Sequence, residues 1–278
     1  MQRHLLTILC LLIINYHMNA QSTSGHYATV NGLHLYYEIH GNGNMPLILL
    51  HGGGSTIEST YGRILPLLAK KQLIIAIELQ AHGHTKDIDR PLSFEQDADD
   101  VAALLQQLHI TRANFMGFSN GGTTSLQIAI RHAALVNKLV LASAVYKRSG
   151  MQPGFFDGFD NAVIDSMPLP LKDAFLKANP DAKGLQAMFD RDVARMKGFR
   201  DISDAVIHSI QAPALVINAD KDVVTNEHAL ELSRTLQHAR LAILPGGHGD
   251  YIGEICSPNK SSKMPDLVVN MIENFLQE

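Results

Sequence analysis

The run Gly117-Phe118-Ser119-Asn120-Gly121-Gly122 places a serine between small residues, where an apolar run gives way to a helical pattern. A nucleophile on a sharp strand-to-helix turn holds a strained backbone angle while the helix passes close by. Side chains at 117 and 121 would collide there, and glycine at both is the sequence form of a nucleophile elbow. The helix N-terminus also favours developing negative charge. Ser119 is thus the candidate nucleophile, and a base must take its proton. The chain has 14 histidines. His248, in Pro245-Gly246-Gly247-His248-Gly249-Asp250, follows the last apolar run, and its glycines let the ring swing over the sheet edge. It follows the serine and an acidic loop, which gives the order Ser, Asp, His. Asp220 and Asp222 both qualify as the acid that accepts the imidazole Nδ1–H, fixes the tautomer and stabilises imidazolium.

An electrophilic partner is expected in Leu50-His51-Gly52-Gly53-Gly54-Ser55, after an earlier apolar run. Glycines there leave backbone N–H groups free to point at an oxyanion, and the N–H groups of Gly53 and Asn120 would complete the hole. Gly54 is a possible substitute for Gly53. A phosphate cradle of the P-loop kind wants Gly-Lys-Ser/Thr before its helix, and no lysine is present. His82 and His84, with Glu78, raise a zinc reading. A structural loop is the stronger reading, because a metal site needs a further ligand and supporting hydrogen bonds. Cys256 lies in Glu254-Ile255-Cys256-Ser257-Pro258 with no small-residue elbow, and reads as a plain side chain.

Those residues need a scaffold. Two short alternating segments, His26–Val30 and His34–Ile39, flank Asn31-Gly32, a strong hairpin signal. Continuous apolar runs follow at Pro46–Leu50, Leu73–Ile77, Ala113–Phe118, Lys138–Ala144, Ala214–Asn218 and Arg240–Leu244. Continuity rather than alternation indicates strands covered on both faces, as in a parallel sheet. Between them lie helical patterns at Phe94–His109, Asn120–His132, Asn226–Gln237 and Lys263–Gln277. Ser93 and Gln96 have capping-box spacing before the first. Strands alternating with helices predict a right-handed α/β sheet. From Lys147 to about Ser209 no strand pattern occurs, only short helical pieces rich in Met and Phe. Residues 147–209 therefore read as a helical lid inserted in a core of residues 21–146 and 210–278. Phe118 and the lid residues Phe155, Phe156, Phe159, Met167, Met188 and Phe189 are candidates for an apolar substrate pocket, or else for simple lid core.

The chain's 278 residues can bury one large core plus a small appendage. With 46% hydrophobic and 18% charged residues it is neither disordered nor fibrous. A formal charge of −4 and the lack of a Lys/Arg-rich run give no footprint for nucleic acid. Arg3, the apolar run from Leu5 to Ile14 and Asn19-Ala20 have the layout of a signal peptide spanning residues 1–20. That apolar run is too short for a membrane span. Export to the periplasm or medium, with no membrane attachment after cleavage, is the expectation. Cys256 would then stand alone, leaving no internal disulfide.

Taken together, Leu35-Tyr36-Tyr37-Glu38, Leu50–Gly53, His82-Gly83-His84-Thr85, Gly117–Gly122, Ala219–Asp222 and Gly247-His248 make the chain resemble the α/β-hydrolase superfamily, particularly its lidded bacterial esterase, lactonase and haloperoxidase-like branch. The resemblance covers nearly everything after Gly25. It implies an eight-stranded, mostly parallel sheet with an antiparallel second strand and helices on both faces, and an acyl-enzyme mechanism without a cofactor on a small-molecule substrate. In that family the acid is the final aspartate of a Gly-Asp-x-Asp-like loop, here Asp222. Where many relatives carry Asp-x-Arg-Gly-His-Gly, this chain has Glu78-Leu79-Gln80-Ala81-His82-Gly83. The expected reaction is hydrolysis of a small carboxylic ester or lactone. A carbon–carbon hydrolase or perhydrolase would use the same triad, and a slow-turnover ligand receptor is the rival of another class.

Overall fold

The computed structural model describes residues 25–278, so the expected signal peptide lies outside the described residues. The chain opens on β1 (His26–Val30) and β2 (Leu33–His40), joined at Asn31 and Gly32, whose φ angles of 48° and 81° are those of a tight hairpin turn. Then come β3 (Leu47–Leu50), the short helices α1 (Ile57–Tyr61) and α2 (Leu65–Leu68), β4 (Ile74–Glu78) and α3 (Phe94–Gln107). Next follow β5 (Ala113–Phe118), α4 (Asn120–Arg131) and β6 (Val136–Ala142). After α5 (Leu169–Ala178), α6 (Ala182–Lys197) and α7 (Asp204–His208), the chain ends with β7 (Ala214–Ala219), α8 (Asn226–Thr235), β8 (Ala239–Leu244) and α9 (Met264–Gln277).

The eight strands form one sheet in the order β1-β2-β4-β3-β5-β6-β7-β8. β2 pairs antiparallel with both neighbours, and every pairing from β4 to β8 is parallel. This is the α/β-hydrolase sheet. Every residue of β3, β4, β5 and β7 is buried, as their unbroken apolar runs require. β8 departs from that reading. It is an edge strand whose residues are half-buried or exposed, Ile243 among the exposed ones, although its run is as apolar as the others.

Two apolar layers sandwich the sheet. On one face Ala98, Val101, Leu104 and Leu105 of α3 pack with Leu126 and Ile128 of α4 and Leu232 of α8. On the other, Tyr61, Leu65 and Leu68 meet Val268, Ile272 and Phe275 of α9. α1 and α2 carried no sequence signal, being too short to show a helical period. Ser93 caps α3 by accepting from the Gln96 N–H, but the Gln96 side chain donates to Asp100 instead of closing the box. A full capping box occurs at α1, between Thr56 and Ser59.

Between β6 and β7 the chain is helical, with α5, α6 and α7 and three single 3-10 turns. This segment packs over the C-terminal ends of the strands through two small clusters. One joins Met167, Phe175, Leu185 and Met188 to Ala81, and the other joins Met196 and Phe199 to Phe94 and Val145.

Candidate active site

β5 ends at Phe118, and α4 starts at Asn120. Ser119 joins them at φ 53°, ψ −119°, a conformation that costs a non-glycine residue roughly 1–3 kcal/mol and persists only where its surroundings over-determine it. Here the Ser119 N–H donates to Ala142 O at 2.8 Å, and Ser119 O accepts from Gly122 N and Thr123 N. A Cβ at Gly117 would lie 2.0 Å from Gly121 O, and one at Gly121 would lie 2.1 Å from Leu50 O. The elbow is as tight as its glycines imply. The half-buried Ser119 hydroxyl caps nothing in its own helix.

The loop after β7 brings a carboxylate to the histidine that follows β8. Asp222 Oδ1 accepts from His248 Nδ1 at 2.7 Å and from Val224 N at 3.1 Å, and its Oδ2 accepts from the Ser143 hydroxyl at 2.6 Å. Burial would raise this carboxyl, but the His248 hydrogen bond and charge, with Ser143, hold it below its ordinary value. Asp220 goes elsewhere: its Oδ1 accepts from Gly246 N at 2.8 Å, pinning the glycine loop that leads to His248. With Nδ1–H donated to Asp222, the imidazole keeps its lone pair on Nε2. The ring rests on Phe118, centroids 4.6 Å apart. Ser143 was absent from the sequence reading. It ends β6 in a left-handed conformation, φ 50°, and also hydrogen-bonds the buried Tyr251 hydroxyl at 2.7 Å.

Gly53, Gly54, Ser119 and Asn120 share the wall of one cavity of about 350 Å³. The backbone N–H groups of Gly53 and Asn120 have no acceptor among the described residues, whereas Gly54 N–H donates to Asp192 at 2.6 Å. The rest of the wall comes from the helical segment and is apolar apart from Ser166 and Asp192. Phe155, Met167 and Met188 line it as expected, together with Phe159 and Phe189. Two expected pocket residues do not. Phe118 is buried in the sheet core beneath the His248 ring, and Phe156 turns away to pack on Phe199 under the Arg148 guanidinium. Cys256 is exposed as a residue, but partial desolvation of its thiol and the neighbouring Glu254 carboxylate push its pKa to about 11, far from a nucleophilic thiolate.

A buried ionic cluster lies directly behind the glycine loop. Asp192 Oδ2 faces His82 Nε2 at 3.0 Å, its Oδ1 accepts from Arg195 at 2.5 Å, and Arg195 also reaches Asp97 at 2.8 Å. Glu78, His82 and His84, the trio weighed for zinc and set below a structural loop, are divided by these contacts. Glu78 binds the backbone and ring of His84, while His82 turns the opposite way to Asp192. Asp192 and Arg195 were not anticipated, yet a signal existed. They share the buried stripe of α6 with Leu185, Met188 and Met196, where charges are expected only if paired.

A family described as alpha/beta hydrolase fold matches residues 45–175. Serine hydrolase BPHL of Homo sapiens is 25% identical over 267 residues, spanning 89% of this chain and 84% of the relative. Among solved structures, a meta-cleavage product hydrolase of Pseudomonas fluorescens (CumD) superposes with a TM-score of 0.75 at 20% identity, over 91% of this chain and 97% of its own. An enol-lactonase of Burkholderia xenovorans gives 0.71 at 24% identity, over 91% and 100%. At such identities the structural likeness is one of fold, and it covers about nine-tenths of the chain. The eight-stranded sheet, the elbow after β5 and the family model matched over residues 45–175 together show that the chain has the alpha/beta hydrolase fold.

Proposed function

We propose that this hydrolase cleaves a small, uncharged carboxylic ester or lactone through an acyl-Ser119 intermediate. Ser119 Oγ attacks the carbonyl carbon while His248 Nε2 takes its proton, and Asp222 steadies the imidazolium through Nδ1. The carbonyl oxygen becomes an oxyanion held by the N–H groups of Gly53 and Asn120, each such donor being worth ~3 kcal/mol in related hydrolases. The alcohol departs with the proton from His248. Water then repeats the sequence on the acyl group and releases the acid.

One observation carries this reading: two backbone N–H groups without acceptors among the described residues flank Ser119 in the wall of a largely apolar cavity. The cavity volume suits a small ligand. Its Phe and Met lining favours an apolar acyl or alcohol group, and its one carboxylate, Asp192, is already paired. The helical segment, residues 147–209, serves as the lid that supplies this lining.

Ser119→Ala should abolish hydrolysis of p-nitrophenyl esters and labelling by a fluorophosphonate, with circular dichroism and melting unchanged. An alanine variant that still took up one equivalent of label would identify another nucleophile. Wild-type protein that binds such esters without multiple turnover would favour the receptor reading.

A further inference from the structure

Gly54 N–H needs an acceptor if the glycine loop is to present Gly53 N–H to the substrate in one fixed orientation. The acceptor does not come from the sheet. It is the carboxylate of Asp192, carried by α6 in the helical segment. The contact is close: a Cβ at Gly53 would lie 3.4 Å from Asp192 Oδ2 and 2.5 Å from Asn120 Nδ2, so Gly53 is held between the two. Gly54 itself has φ +65°.

A carboxylate in this position creates a difficulty. A negative charge behind the loop repels the oxyanion that the loop must stabilise, and low dielectric magnifies the effect. The surrounding residues cancel it. His82 has only acceptors at both ring nitrogens, Gln80 O at 2.8 Å from Nδ1 and Asp192 Oδ2 from Nε2, so both nitrogens donate and the ring is a cation. Arg195 supplies a second positive charge, shared with Asp97. His51, whose ring lies tilted against His82 with centroids 4.8 Å apart, stays neutral because its Nε2 accepts from Leu79 N while Nδ1 donates to Gly52 O. The four charged groups sum to zero.

We infer that Asp192 is a positioning residue for the oxyanion hole, clamping the Gly53-Gly54 peptide from α6, with His82 and Arg195 neutralising the clamp so that it does not oppose the reaction. The inference rests on the serine-hydrolase reading. It makes the hole complete only when α6 is docked, so the helical segment contributes to the chemical step as well as to the pocket.

The test compares wild type with Asp192→Ala and Asp192→Asn on p-nitrophenyl esters. It also measures inhibition by a trifluoromethyl ketone, which forms an oxyanion adduct with the serine, and by the carboxylic acid product. Losing an oriented donor should lower kcat by 10²–10³-fold in the alanine variant. KM and product affinity should stay within about threefold, and ketone affinity should fall in parallel with kcat/KM. The asparagine variant, which retains an acceptor oxygen for Gly54, should fall between the two. Should the alanine variant fail to fold, the asparagine variant decides by the same split. A variant with wild-type kcat, or with raised KM and equal loss of product binding, overturns the clamp. Failure of the wild-type serine to label with a fluorophosphonate would instead overturn the underlying hydrolase reading.

Discussion

Asp222 receives three donors: the imidazole, the Ser143 hydroxyl and the Val224 N–H. A carboxylate so supplied stays ionised and fixed, which its proposed role behind an imidazole requires. Asp222→Asn should keep the shape but favour the wrong imidazole tautomer, lowering kcat by on the order of 10⁴ as in serine proteases. Asp220→Asn should cost far less, since its carboxylate only holds the Gly246 N–H. Parallel kinetics check this, and a near-normal Asp222→Asn enzyme would remove Asp222 from the mechanism. Single residues were legible in the sequence where chemistry restricts the neighbours. Ser119 is framed by glycines that the helix approach demands, and His248 sits in a loop of glycines. Ser143 and Asp192 carry no such frame. Each becomes meaningful only through partners distant in sequence, Tyr251 and Asp222 for the first, Gly54 and His82 for the second.

At the scale of elements, α6 is tied to the glycine loop by the Gly54 N–H donated to Asp192, and to His82 and α3 by ion pairs, rather than by apolar surface alone. Burial works against the His82 cation, yet the Asp192 charge and hydrogen bond raise its pKa above the ordinary value. Asp192 is held far below the usual carboxylate range, because Arg195 and His82 overcome its burial. A folded-state pKa raised above the unfolded value means that the native protein binds the proton more tightly. The stability His82 adds is therefore complete below about pH 6.5 and is lost as pH rises through its folded pKa. Burial also pushes Asp97 up, to about 6 against the pull of Arg195, so its proton too is held more tightly in the folded state. That effect fades between about pH 4 and pH 6, below the histidine's window. The melting temperature of the wild type should fall from pH 6.5 upward, and Asp192→Asn should flatten that limb. An equal fall in both proteins would show that His82 is not its source. Elements were readable in proportion to their length and period. The seven strands from β1 to β7 are buried or paired as their patterns required. β8 reads like a core strand because Leu241, Ile243 and Leu244 give no hint of a missing neighbour, and α1 and α2 are too short to show a stripe.

For the whole molecule, we propose export: Arg3, the Leu5–Ile14 run and Ala20 form a cleavable signal, leaving a chain that begins near Gln21. Among the described residues no helix is long and apolar enough to cross a membrane. N-terminal mass spectrometry of protein from the cell-envelope fraction should find Gln21 first, whereas an intact Met1 on cytoplasmic protein would refute the proposal. The order of strands also bears on biosynthesis. Ser119, Ser143, Asp222 and His248 follow β5, β6, β7 and β8, four consecutive neighbours in the sheet. Ser119, the proposed nucleophile, thus leaves the ribosome long before His248, its proposed base, which hangs from an edge strand that pairs only with β7. Contacts so distant along the chain form late in folding. Under the proposed mechanism, a nascent or partly folded chain displays an elbow without the means to activate it, and would not acylate itself on esters it meets before the last strand docks.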